Sequence, residues 1–455
     1  MKALGFARAA IKEMVMSVLP DGKLKKLSDA EIVNGYHLDD EVMKKVNLEA
    51  SAGVPLGGVV ADWIDIEKSI IHPKVIELMA GVESLARQGR KDYNSVKFKD
   101  CNKDEMRDYE KRQKPRCFAA GPLHYTLLLR RWFGRLTTLF MKHRLRTGVM
   151  IGINATSKEW STLWRQLCMR THHFDGDYEM WDGAMRREFQ EVLNELLAGF
   201  SEDPVVGLGL LMHLCETTRV GMDMTYITTH SVPSGHGLTA LYNSLINKMY
   251  VAYAWYILIG CHLELSEVAL LDRFRQDIYA PVYGDDIVCA VSDRASIRFN
   301  AITYAMVMRD LGLGFTSASK KSHDKPFSAL RDITFLKRSF FAHRLINDIT
   351  GPLALDVLRG SAGFVHDVTR DSEITTQKMS SLQRELFLHS SETYKIYWAA
   401  LCDCYRQAFG VDYHGLTEVE MLELYNHGEL RDDLFEAESK VVLPTRRSTR
   451  LLCRW

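Results

Sequence analysis

Residues Val282–Val291 read VYGDDIVCAV, an apolar run broken by two adjacent acids, Asp285 and Asp286. Carboxylates are rarely buried unless a cation or hydrogen-bond donors meet them. Gly284 and the two aspartates suit a tight turn between two strands, which puts both acids in a cleft or on the surface. A third carboxylate from a neighbouring strand would make a divalent-cation site, and Mg²⁺ typically shares such ligands with substrate phosphates. Asp177 is the natural third, at the end of a short strand in THHFDGDYEMWDG (Thr171–Gly183), with Asp182 just beyond it. Two cations about 4 Å apart activate an attacking hydroxyl and stabilise a leaving phosphate. Alone, a Gly-Asp-Asp tripeptide is a polar turn. It gains weight from the acidic strand end, the Ser-Gly loop and the basic segment that precede it.

That loop is PSGHG, with Ser234 and Gly235, and a long helix is expected to start near Leu238. Thr239 and Asn243 stand four apart and share a helix face. The basic segment runs from Arg87 to Arg116 and holds eleven basic and six acidic residues. It reads either as a solvated surface or as an arm that grips phosphates. From Cys117 to Lys158 there is no acid at all, while Arg130, Arg131, Arg135, Lys142, Arg144, Arg146 and Lys158 all fall there. The whole chain is neutral, with 58 basic and 58 acidic residues. A neutral protein with a basic wall can still bind a polyanion.

With 455 residues, 46% of them hydrophobic, the chain is long enough for several domains or for one architecture with intimate subdomains. Nine cysteines without paired spacing read as reduced thiols. No secretory signal is evident, and the most apolar stretch, Val251–Leu265, is short for a bilayer and reads as the continuation of a buried helix. Ser51–Gly58, SAGVPLGG, reads as a loop. Helices are expected over HYTLLLRRWFGRLTTLFMKHRL (His124–Leu145), AMRREFQEVLNELLAGF (Ala184–Phe200) and SDRASIRFNAITYAMVMRDLGL (Ser292–Leu313). DITFLKRSFF (Asp332–Phe341) reads as a strand, and the chain beyond about 351 as mostly helical.

In order along the chain, these pieces resemble the RNA-dependent RNA polymerases of positive-strand RNA viruses, in the picorna-like (picornavirus and dicistrovirus) group. Asp177 and Asp182 match the first palm motif of that family. Ser234, Gly235, Thr239 and Asn243 match the second, and Tyr283, Gly284, Asp285 and Asp286 the third. Lys320, in LGLGFTSASKK, resembles the lysine of the fourth, and FLKRSF at Phe335–Phe340 resembles the fifth. Lys103, Arg107, Lys114 and Arg116 resemble the fingers motif over the entering nucleotide, and SAGVPLGG a fingers loop near the template. The matches span roughly residues 50–340.

The resemblance implies an α+β right hand with an antiparallel palm sheet and a closed ring of fingers and thumb. Fingers would occupy 1–165 and 190–225, palm 166–189 and 226–345, and thumb 346–455, the last resting on order along the chain. Asp177, Asp285 and Asp286 would hold two Mg²⁺ ions, with Mn²⁺ as a substitute. Asp182, Asn243, Ser234 and Thr239 would select ribose, Gly235 would belong to the same substrate site, and Lys103, Arg107, Lys114 and Arg116 would hold the triphosphate. Lys320 would act as general acid toward the leaving pyrophosphate. The acid-free Cys117–Lys158 stretch, Lys337–Arg338 and the basic C-terminal end would meet RNA phosphates.

Expected partners are an RNA template, nascent RNA and nucleoside triphosphates, with a protein primer and other viral replication proteins as further candidates and no transmembrane segment. The expected location is the host cytoplasm, at replication complexes. Two other readings stand beside this one. A reverse transcriptase should lack the Asp182–Asn243 pair. A catalytically inactive palm that only binds RNA should have lost Asp177, Asp285 or Lys320.

Overall fold

The computed structural model describes residues 2–19, 21–38, 41–103, 113, 116–318, 323–362 and 371–430, with the backbone alone at 371–373. Contacts divide the chain into one unit of Met1–Gly152 with Phe174–Phe327, and another of Ile153–His173 with Ser328–Trp455. In chain order, the strands around the candidate site are β1 (Phe98–Asn102), β2 (Cys117–Ala120), β3 (His172–Tyr178), β4 (Thr217–Val220) and β5 (Thr225–Thr228), followed by β6 (Ile278–Tyr279), β7 (Val282–Tyr283), β8 (Asp286–Val291) and β9 (Phe315–Thr316). The helices of the first unit that matter here are α1 (Lys2–Val18), α2 (Leu123–Lys142), α3 (Arg187–Phe200), α4 (Pro204–Cys215), α5 (Thr239–Leu258) and α6 (Ala301–Asp310).

The central sheet runs β6–β8–β3–β9, with β7 also paired to β8. β6 and β7 are antiparallel to β8, and β9 is antiparallel to β3. Ile287 through Val291 are all buried, which explains their unbroken apolar run: both faces of β8 are covered. α5 is buried almost all round from Leu241 to Trp255. A helix apolar on every side belongs in a core. Phe6 of α1 stacks on its Trp255, with ring centroids 5.3 Å apart. No single described helix is long and apolar enough to cross a membrane. A second sheet, ordered β2–β1–β4–β5, joins distant stretches, because β1 pairs parallel with β4.

Two expected elements differ in the structure. The Ser292–Leu313 stretch is broken into a short Asp293–Ser296 turn of helix and α6. Asn300 is the reason: its side chain accepts from the backbone N–H of Ile302 and Thr303, so it caps α6 and ends what precedes it. Asp332–Phe341 is a tight turn and not a strand. Phe335 and Arg338 form an isolated bridge across Leu336 and Lys337, whose φ angles are 55° and 60°.

In the second unit, that turn packs around Trp160. Trp160 is fully buried against Phe335 and Phe340, and its indole N–H donates to the Ser339 carbonyl at 3.1 Å. The hairpin Phe341–His343 with Asp348–Thr350 follows, then helices Leu355–Ala362, Asp371–Phe387, Ser391–Phe409 and Glu418–His427.

Candidate active site

Tyr283 pairs with Asp286, so Gly284 and Asp285 form a two-residue hairpin turn between β7 and β8. Such a turn needs a positive φ at its first central position, and Gly284 has φ 64°. A Cβ there would meet no atom within 4 Å, so glycine is required for its backbone and not for space. Asp285 is exposed and Asp286 half-buried, in keeping with acids that resist the core.

α5 pins this turn from below. The Ser244 hydroxyl accepts from the Gly284 N–H at 2.8 Å. The Asn247 amide donates to the carbonyls of Gly284 and Asp285, at 3.0 and 3.2 Å. Asn247 Oδ1 in turn accepts from the Tyr178 hydroxyl at 3.1 Å, and Tyr178 meets the Tyr304 hydroxyl at 2.6 Å. Tyr178 follows Asp177 on β3, so the chain of bonds ties the Asp177 strand to the Asp285 turn. Strand alternation points Tyr178 into the core and Asp177 to the other face. Tyr178 is 4% exposed, while Asp177 is half-buried. A close approach fixes the other flank of β3: a Cβ on Gly176 would fall 1.8 Å from Phe315 of β9.

The Ser-Gly loop is docked on β2. The Ala119 N–H donates to the Ser234 hydroxyl at 3.0 Å, and the Gly235 N–H donates to the Ala119 carbonyl at 2.8 Å. A Cβ on Gly235 would lie 2.4 Å from that carbonyl, so only glycine allows the contact. The Thr239 hydroxyl donates to the carbonyls of Ser234 and His236, both at 2.8 Å, closing the loop onto the start of α5. His236 is buried, and burial holds its imidazole neutral with a pKa down at about 3. One turn into α5, Asn243 is 7% exposed, and its Oδ1 has no hydrogen-bond partner among the described residues. An amide oxygen held this way is an acceptor awaiting a donor.

Lys103 and Arg116 face one another across the ends of β1 and β2, where the Lys103 N–H donates to the Arg116 carbonyl at 2.7 Å, and both side chains are exposed. Arg107, Lys114 and Lys320 lie outside the described residues. Much of the acid-free stretch serves the fold. Arg130 donates to the carbonyls of Ile32 and Lys44, and burial lowers its pKa to about 10. Arg131 pairs with Asp29, Arg135 with Glu41, and Arg146 donates to the Ser17 carbonyl. Their partners belong to the first 45 residues, which is why the sequence shows the cations without their acids. Arg338 is also engaged, by both Glu385 oxygens at 2.8 and 2.6 Å and by the Gly351 carbonyl at 2.6 Å.

Charge couples the acids. Enclosure by protein raises the Asp285 pKa, the negative charge of Asp177 raises it further, and Arg116 opposes the rise. Asp182 is raised likewise, first by enclosure and then by Asp285, with Arg219 and Arg116 opposing. Both acids keep open surface, so this is the crowding of a cleft and not of a core. Asp177, Asp182, Asp285 and Arg116 therefore form one electrostatic cluster. No group of three or more His, Cys, Asp or Glu among the described residues makes a ready metal cage. Mg²⁺ bound with phosphates needs only one or two carboxylates from protein. A carboxylate whose pKa is raised by a neighbouring carboxylate's charge, as that of Asp285 is by Asp177, suits a donor set that such a cation would relieve.

Ser244, Asn247, Tyr178 and Arg219 escaped the reading of the sequence. Asn247 had a signal, since Thr239, Asn243 and Asn247 recur every four residues in an otherwise apolar helix. Arg219 had none, because the acid beside it, Asp100, comes from a strand more than a hundred residues away.

A family model described as viral RNA-dependent RNA polymerase matches residues 14–401. The replicase polyprotein of Cricket paralysis virus is 27% identical over 416 residues, covering 85% of this chain and 23% of that protein. The RNA1 polyprotein of Cherry rasp leaf virus is 25% identical over 419 residues, covering 83% of this chain and 18% of that protein. The chain thus spans less than a quarter of the length of these relatives. Among solved structures, the Sicinivirus 3Dpol RNA dependent RNA polymerase shares the fold, with a TM-score of 0.75 and 18% identity over 93% of this chain and 86% of that one. With its right-hand polymerase fold and a family match over most of its length, the chain belongs to the viral RNA-dependent RNA polymerase family, beside picorna-like relatives.

Proposed function

We propose that this chain extends an RNA 3′-end on an RNA template, transferring nucleotides from nucleoside triphosphates. The observation that supports the reading is the electrostatic coupling of Asp177, Asp182 and Asp285 with Arg116, with Asp285 in a hairpin turn whose carbonyls accept from Asn247 of α5. In this reading Asp177, Asp285 and Asp286 hold Mg²⁺, or Mn²⁺ in its place. Bound divalent cations supply the charge that favours the attacking 3′-oxygen and the leaving pyrophosphate.

The chain's own residues bind and orient. Arg116 and Arg107 offer fork-shaped donors to the triphosphate, and Lys103 and Lys114 add point charges. The ribose 2′-hydroxyl is both donor and acceptor. It donates to Asp182 or to Asn243 Oδ1, and accepts from the Asn243 amide. Ser234, Gly235 and Thr239 fix the loop that delivers Asn243. Lys320 donates a proton to the departing pyrophosphate.

Fingers at 1–165 and 190–225, palm at 166–189 and 226–345, and thumb at 346–455 complete the reading, with the closed ring the family implies. Template, nascent RNA, a protein primer and replication proteins of the host-cytoplasmic replication complex are its partners. Primer extension on an RNA template with ribonucleotides, with and without Mg²⁺, tests it. Asp285→Ala should abolish addition and leave RNA binding and folding intact. Near-normal elongation by Asp285→Ala would overturn the reading. Preference for deoxyribonucleotides would favour a reverse transcriptase, and RNA binding without any extension by the wild type an inactive palm.

A further inference from the structure

Within the first unit, α1, α5 and β6 border a cavity of about 310 Å³, inside the range of about 300–1,000 Å³ that small-molecule sites occupy. No residue of the proposed catalytic or nucleotide-binding set lines it. Its wall is mostly apolar, with Ile11 and Met14 from α1, Val251 from α5, and Phe274 and Ile278 from the helix Glu267–Asp277 and β6. Ile11 and Val251 are core residues, whereas Ser17, Arg146 and Arg275 are exposed, so the cavity opens to solvent on the side that those three line.

The charged side chains of the wall are Arg146, Lys248, Arg275 and a single acid, Glu13. Arg275 pairs with Glu13, and their charges cancel. The other two are both positive, in a chain whose charges otherwise balance. They also stand together. The buried Lys248 ammonium donates to the Ala280 carbonyl at 2.5 Å, and a Cβ on Gly148, two residues past Arg146, would lie 2.5 Å from that ammonium. Gly148 ends the short helix Arg144–Thr147 with φ 73°, so glycine serves both the turn and the close approach of the lysine. Arg146 gives one N–H to the Ser17 carbonyl at 2.6 Å, and a guanidinium has five in a rigid fork.

An apolar wall with two cations at one end is the complement of an amphipathic anion. An alkyl chain laid on Ile11, Met14, Val251 and Phe274 is favoured by its removal from water. A carboxylate at the end of that chain suits the guanidinium fork and relieves an ammonium that the fold has taken from water. A neutral chain would leave both cations facing apolar surface, and a small anion would leave the apolar wall wet.

We propose that this cavity binds an amphipathic monocarboxylate, its alkyl chain between α1 and α5 and its carboxylate on Arg146 and Lys248. The cationic end adjoins the segment that leads to the Gly284–Asp285 turn, since the Gly148 carbonyl accepts from the Val282 N–H at 2.8 Å. The site is separate from the nucleotide cleft, and its occupancy does not depend on the polymerase reading.

Calorimetric titration of the full chain with decanoate, below its micelle-forming concentration, tests the site. One saturable site per chain is expected. Decanol has the chain without the charge and should bind at least about tenfold more weakly, the worth of one hydrogen bond to a charged group. Acetate has the charge without the chain and should give no measurable binding. Arg146→Gln should weaken decanoate by about tenfold and leave decanol unchanged. Ala10→Phe places a ring in the cavity from α1 and should abolish binding of both. Arg146 is exposed, so Arg146→Gln carries the test should Ala10→Phe fail to fold. Four results would each overturn the inference: no decanoate binding by the wild type, equal affinity for decanoate and decanol, wild-type decanoate affinity in either folded variant, or equal weakening of both ligands by Arg146→Gln.

Discussion

The side chain of Asn247 spans two acidic segments: its amide donates to the carbonyls of Gly284 and Asp285, and its oxygen accepts from Tyr178, the neighbour of Asp177. It is fully buried. One residue of α5 thus sets the spacing of β3 and the β7–β8 turn, on which the cluster depends.

Asn247→Leu should therefore cost activity and stability together. The buried Gly284 carbonyl, the part-buried Asp285 carbonyl and one hydroxyl would lose a partner, at about 1–3 kcal/mol for a buried unsatisfied group and less for the more open one. Urea unfolding reads the stability, and single-turnover incorporation should slow even under conditions where the variant is fully folded. Asn247→Asp should be no rescue, because it removes the donor that both carbonyls need.

Gly284→Ala tests the turn. No atom obstructs the new methyl group, so the cost is backbone strain at φ 64°, about 1–2 kcal/mol. Gly284→Asn should cost less, since asparagine tolerates left-handed backbone. Thermal melts should rank glycine above asparagine above alanine. Equal melting of the glycine and alanine proteins would show that the turn does not need this conformation.

Asn243→Ala separates selection from stability. Its Oδ1 has no partner among the described residues, so truncation breaks no hydrogen bond of that oxygen among them. The melting temperature should change little, while the preference for ribonucleotides over deoxyribonucleotides should fall by about tenfold. An unchanged preference would remove Asn243 from ribose reading.

The acids make a prediction for pH. Asp285 and Asp182 have pKa values raised in the folded chain. The native state therefore binds their protons at pH values where the unfolded chain has released them. Their contribution to stability is full below the ordinary carboxylate pKa near 4 and is lost as pH rises through the raised values. Metal-free protein should thus lose stability across that window, modestly because both groups keep open surface. Asp285→Asn should flatten this dependence. Mg²⁺ should bind more weakly as pH falls through the same window and release protons on binding, as calorimetry in buffers of different ionisation enthalpy would show. Binding without proton release would place the cation elsewhere.

Sequence alone went far for the parts whose physics is local. A glycine before two acids marks a two-residue turn because only that residue adopts the backbone freely, and the structure has Gly284 there with positive φ. The expected helix over His124–Leu145 is met by α2 as far as Lys142, with Arg144 and Leu145 in a separate short helix, since its apolar spacing is a local signal. Ser234 and Gly235 were legible as a loop and Thr239 as the start of a helix.

What the sequence could not decide was which charges and amides meet. Arg130 and Arg131 read as a phosphate-binding wall, and they are spent on backbone and acid of the first 45 residues. Arg338 reads as an RNA contact, and Glu385 takes it. The Asp332–Phe341 stretch has strand-forming residues, but it turns at Leu336 and Lys337 about the buried Trp160. Asn300 splits a helix whose apolar pattern runs on, because one capping side chain outweighs periodicity there. In each case the deciding partner is remote in sequence or the choice is a single hydrogen bond. Periodicity and composition report which surface a segment buries, whereas a charge or an amide takes its role from whatever the tertiary fold brings within about 3 Å of it.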